Sequence, residues 1–148
     1  MKLATNIPGL RSPYAEVGGM VMFGRMLDKI RLHRDGKLPA DWVVAKGLDR
    51  GFDGRCCRFL SVSYEELENE TLKGGTDEEI LDWAFNHGRR PSAEDLEVWN
   101  GFMRKLGWRD SSHERLLFRL HEAGRSPTAA LTMFDYIELD EGRPPFEF

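Results

Sequence analysis

The chain has 148 residues, 41% hydrophobic and 31% charged, with a formal net charge of −4. That balance fits one globular domain able to bury its own core, and excludes a disordered chain and a disulfide-dense miniature fold. No run approaches the roughly 18 apolar residues of a membrane helix, residues 1–10 lack a secretory apolar stretch, and the two cysteines, Cys56 and Cys57, are adjacent; a soluble cytoplasmic protein is expected.

Residues 1–10 read as irregular, and Ser12-Pro13 as a turn or the start of a short helix. Gly18-Gly19 interrupts the chain. Met20, Phe23, Leu27 and Ile30 then form a helical stripe, with Gly36 as its stop. Residues 37–62 hold Pro39, Gly47, Gly51 and Gly54 ahead of the apolar run 56–60. They are expected to form a long irregular segment with room for one short strand or helical turn.

From Ser63 the punctuation is regular. Ser63 with Glu66 and Thr76 with Glu79 have capping-box spacing, and Gly74-Gly75 and Gly88 close the helices they open. Ser92 with Asp95 opens another, with the stripe Leu96, Trp99, Met103 and Leu106 before Gly107. Residues 110–112 cap a helix facing inward with Leu116, Leu117 and Leu120 and ending at Gly124. Ser126-Pro127 is expected to start the last helix, with Leu131, Phe134 and Ile137 on one face. The 140–148 tail is acidic and Pro-containing and expected to be loose, with Phe146 and Phe148 as residues that could dock it. The sum is an all-α single domain spanning 1–148, of about six helices.

Charge is uneven. Residues 1–62 carry a net +5, residues 63–98 a net −8 and the remainder −1. Such asymmetry marks either a partner surface or two parts of one fold that attract each other.

Several blocks are similar to one known family: Gly18-Gly19 with residues 23–31, residues 51–60, Gly88-Arg89-Arg90-Pro91, residues 98–105, and Phe134-Asp135-Tyr136-Ile137 followed by residues 140–143. Together they resemble the bacterial family designated domain of unknown function 5069, over nearly the whole chain. The resemblance implies a stand-alone cytoplasmic domain and carries over no catalytic residue.

Three chemistries are weighed on the residues themselves. Arg25, Arg31, Arg55, Arg58, Arg89 and Arg90 flank glycines and aromatics, and guanidinium forks bind carboxylates and phosphates in a bidentate way. Residues 51–55, Asp53 included, form a glycine-punctuated stretch that could turn backbone N–H groups toward an anion. Against this, the arginines can pair with Asp28, Asp53, Asp82 and the many glutamates. Trp99, like Trp42, Trp83 and Trp108, serves either a pocket wall or the core. Gly101 inside its helix suggests close approach of another helix or a ligand.

Cys56 and Cys57 lie between Arg55 and Arg58, which would favour a thiolate; Asp53 or His33 could then move a proton. The competing reading is two small buried hydrophobes. No metal or cofactor is expected, since His33, His87, His113 and His121 fall into no ligand spacing. Asp28 and Asp35 dilute the basic stretch Lys29, Arg31, His33, Arg34 and Lys37, so nucleic acid is not an expected partner. The leading expectation is a binding module for a small anionic metabolite, with candidate residues Arg25, Arg31, Asp53, Arg55, Arg58, Arg89 and Trp99. An adaptor using the acidic 63–98 face or a helix groove comes next, then a Cys-dependent enzyme. A protein partner or homo-oligomer is compatible with each.

Overall fold

Helix α1 (Phe23–Arg34) is the centre of the fold, and nine of its 12 residues are buried. Phe23, Met26, Leu27 and Ile30 form its apolar stripe, and all four are in the main core. The computed structural model describes residues 6–148. Before α1, strands β1 (Glu16–Val17) and β2 (Met20–Val21) form a minimal antiparallel hairpin with Glu16 opposite Val21. Gly18 and Gly19 both take positive φ, 55° and 79°, the requirement of the two-residue turn whose twist matches the strands. Ser12-Pro13 forms a turn, in which the Ser12 hydroxyl accepts from the Tyr14 N–H at 3.1 Å.

Seven further helices follow: α2 (Ala40–Ala45), α3 (Phe52–Leu60), α4 (Tyr64–Leu72), α5 (Asp77–His87), α6 (Ala93–Lys105), α7 (His113–Glu122) and α8 (Met133–Asp140). The protein is therefore mainly helical, as the sequence indicates, with eight helices and one two-stranded ribbon among the described residues. Hairpin, α1, α3, α4, α5 and α6 share one core, which Phe134 of α8 completes. Ile7, Leu10, Leu32 and Leu38 make a satellite cluster under Trp42 and Val43 of α2. Leu116, Leu120 and Ala130 join α7 to α8.

Three of the caps read from the sequence are present, whereas Ser112, the N-cap of α7, makes no side-chain cap bond. Thr76 and Ser92 each form a reciprocal capping box, and the Ser63 side chain accepts from the Glu66 N–H. Two expectations need correction. The 37–62 segment contains α2 and α3 rather than a long loop, and the strands lie earlier, at 16–21. Gly51 is the N-cap of α3, and Gly54 sits inside it because a Cβ there would come within 2.2 Å of the Asp49 carbonyl oxygen. The glycine marks close packing of the 48–51 turn on the helix.

Ser126-Pro127 does not open the last helix either. The Ser126 hydroxyl bonds the Thr128 N–H in a local turn, α8 starts at Met133 behind a Thr132 cap, and Leu131 is exposed. The 140–148 tail buries Glu141 and stacks the Phe146 ring on Tyr14 at 4.2 Å, while Phe148 is 90% exposed. No helix among the described residues is long and apolar enough to cross a membrane.

Gly101 meets nothing within 4 Å of its Cβ position, so packing against a neighbouring helix does not require it. Gly101→Ala should stabilise the protein by up to about 1 kcal/mol through helix propensity. Gly54→Ala should destabilise it by about 1–3 kcal/mol through the clash at Asp49. Urea unfolding of the two variants checks both signs.

Candidate anion-binding groove

Reading 52–60 as a helix changes which side chains can meet. On α3, Arg55, Arg58 and Phe59 stand at i, i+3 and i+4; on α6, Val98 and Trp99 lie four and three residues before Phe102. The two sets face each other across an open groove of about 400 Å³. Its apolar floor is tied to the core: Phe59 stacks on Trp99 with centroids 4.6 Å apart, and the Trp99 indole N–H donates to the Val21 carbonyl at 3.1 Å. Asn100 fixes the same helix to the hairpin, accepting from the Val21 N–H and donating to the Gly19 carbonyl. The groove is thus held by a rigid side-chain lattice.

Three guanidiniums border this floor. Arg55 lies 5.1 Å over the Phe102 ring and has no ion-pair partner among the described residues. Arg58 donates to the Asp49 carbonyl and carboxylate, both at the surface. Arg89 covers the Phe59 ring at 4.9 Å and pairs with Asp95 at 2.9 Å. Val98 and Phe102 remain 66% and 45% exposed, so apolar surface is available beside the charges.

The other candidates are elsewhere. Arg25 is buried in a two-pronged pair with Glu141 and also donates to the Arg11 carbonyl at 2.9 Å. Arg31 binds Asp77 at 2.6 Å, and Arg11 bridges Asp77 and Asp28. Asp53 accepts from Lys29 at 2.7 and 2.8 Å and from the Gly47 N–H, all inside the fold. Burial pushes the Lys29 ammonium down, and Asp53 opposes that shift. Arg25, Arg31 and Asp53 thus brace the structure and do not join the groove. Three backbone N–H groups of the 51–55 stretch are already taken: those of Gly51 and Gly54 bond the Leu48 carbonyl, and that of Arg55 bonds Gly51.

Phe59, Val98 and Phe102 were not singled out from the sequence. Their helical spacing would have shown them once residues 52–60 were recognised as a helix.

Neither cysteine offers an activated thiolate. Both are buried in the main core, and burial pushes the Cys56 thiol well up and that of Cys57 to about 12, with Arg58 a small opposing influence. His33 is exposed on α1. Among the described residues, no group of three or more His, Cys, Asp or Glu side chains is arranged to hold a metal ion.

Fold and site together define a small, mainly helical domain with an arginine-bordered aromatic groove on its surface. The chain belongs to the family described as domain of unknown function (DUF5069), whose model matches residues 7–143. No protein with a curated description matches the chain.

Two expectations follow from these ionic and thiol environments. An alkylating reagent should leave both thiols unmodified in the native protein and label both after unfolding, as read by intact mass. For Asp77, burial opposes ionisation, but hydrogen bonds from Arg11 and Arg31 outweigh it and hold the carboxyl below the usual carboxylate range. Its contribution to stability is therefore complete above the unfolded value near pH 4 and is lost as pH falls through the lower folded value. Asp77→Asn should be less stable than the parent at pH 7, with the difference shrinking on acidification in urea titrations.

Proposed function

We propose that the protein is a cytoplasmic binding module for a small anionic metabolite, held in the groove between α3 and α6. The observation that carries this reading is Arg55. Arg25, Arg31, Arg58 and Arg89 each have a carboxylate partner, whereas Arg55 rests on an aromatic face with no carboxylate partner among the described residues. A guanidinium stacked on a ring keeps its N–H edge free, which is the edge that grips a carboxylate or phosphate. Arg58 adds a second fork when an incoming anion replaces the exposed Asp49 carboxylate. Val98 and Phe102 then cover the apolar part of the ligand. The cytoplasmic assignment is supported by two free, buried cysteines, which a reducing compartment keeps as thiols.

A second reading, a protein-interaction domain, is favoured by the same exposed Val98 and Phe102, since apolar side chains at one edge of a groove also suit a partner helix. Buried thiols remove support from the cysteine-enzyme reading.

A thermal-shift screen with phosphates, sugar acids, nucleotides and dicarboxylates at matched ionic strength separates the two remaining readings. Ligand at about 100 times its dissociation constant adds about 2.7 kcal/mol, and each 1 kcal/mol moves the midpoint of a domain this size by about 2–4 °C. One anion class should give a shift of several degrees that Arg55→Gln abolishes. A flat screen, with a partner captured by the parent protein and lost in Phe102→Asp, would favour the interaction domain.

A further inference from the structure

Two guanidiniums of the groove, Arg55 and Arg58, leave α3 at i and i+3, so they stand on one side of it. Arg55 has no carboxylate partner among the described residues and lies over the Phe102 ring. Arg58 is paired with Asp49, whose side chain is 95% exposed. So open a pair is worth little and yields to a better acceptor. No acidic side chain lines the groove among the described residues. A carboxylate has two oxygens and fills one guanidinium fork, whereas a terminal phosphate has three and can engage both.

The facing wall, on α6, is apolar and flat. Phe102 keeps 45% of its surface exposed with Arg55 over its ring, and Val98 keeps 66%. Beneath them Phe59 stacks on Trp99, which fixes the floor. Aromatic rings and guanidinium planes are the two surfaces on which nucleobases stack. A sugar acid or short dicarboxylate has no flat face to lay on them, and it leaves much of the groove of about 400 Å³ unfilled.

We propose that the anion held here is a nucleoside monophosphate, an inference that rests on the anion-binding reading of this groove. The phosphate occupies the forks of Arg55 and Arg58. The base lies against Phe102 and Val98, and the ribose spans the floor between them. The lining offers little to read a base edge, because the Trp99 indole N–H is already given to the Val21 carbonyl and the remaining polar side chains are the two arginines. The site therefore recognises the face of the base, and adenine and guanine should serve alike.

The test is calorimetric titration of the full chain, at constant ionic strength, with adenosine 5′-monophosphate, guanosine 5′-monophosphate, ribose 5-phosphate and inorganic phosphate. Both nucleotides should bind about tenfold or more tightly than ribose 5-phosphate, the margin expected of one stacked base, and within about threefold of each other. Phe102→Leu, a change at an exposed position, should lose most of that margin while the protein still unfolds as a folded domain. Equal affinity for the nucleotides and ribose 5-phosphate, or a margin that survives Phe102→Leu, would overturn this inference and leave the anion-binding reading standing. Silence from all four phosphates would overturn it as well; if sugar acids and dicarboxylates are silent too, the anion-binding reading falls with it.

Discussion

The pair between Arg25 and Glu141 is the constraint on which the rest of the architecture depends. Both side chains are almost fully excluded from solvent, and they join the first turn of the central helix to the residue just past the last one. Buried ion pairs add little net stability relative to a well-packed apolar pair, but removing one member strands a charge and costs about 3–5 kcal/mol. The pair therefore acts as a requirement: α1 can be buried with Arg25 in it only if the C-terminal segment returns to the same place. Arg143 reinforces the closure by donating to Glu141 and to the Leu10 carbonyl, so both ends of the described chain meet over α1. With that segment anchored, the Phe146 ring reaches and stacks on Tyr14.

Around this closure, charges are used with clear division. Lys29 with Asp53 and Arg31 with Asp77 tie α1 to the start of α3 and of α5. These are long-range contacts that fix how helices sit on one another. Arg55, on the groove face, has no such partner among the described residues and lies over the Phe102 ring instead.

Much of the fold is legible in the sequence wherever local chemistry decides it. Thr76 with Glu79 and Ser92 with Asp95 announce their helices because the cap bonds are made within four residues. Gly54 misleads for the opposite reason: it reads as a breaker, yet its role is set by the Asp49 carbonyl folded over it, a contact no periodicity reveals. Ser126-Pro127 has the form of a helix start, but the Ser126 hydroxyl is taken by the turn, and Thr132 becomes the cap. The site is partly legible. Arg55, Arg58 and Trp99 are brought together, with Arg89 at the margin, whereas Arg25 and Arg31 go to carboxylates 116 and 46 residues away. Which arginine finds which acid is decided by helix packing, and residue type alone does not encode it.

The distance along the chain between Arg25 and its partner has a consequence for biosynthesis. Glu141 lies 116 residues after Arg25. At roughly 5–20 residues per second, the ribosome makes that stretch in about 6–23 seconds. During that interval α1 can form, and its apolar stripe can begin to collect the hairpin and the middle helices, but its guanidinium has no buried acid to meet. The native interior is therefore sealed late, when nearly all of the family domain has been made. Until then the nascent chain must keep the end of α1 bearing Arg25 open to water, with its neighbouring apolar side chains within reach of whatever binds emerging polypeptides.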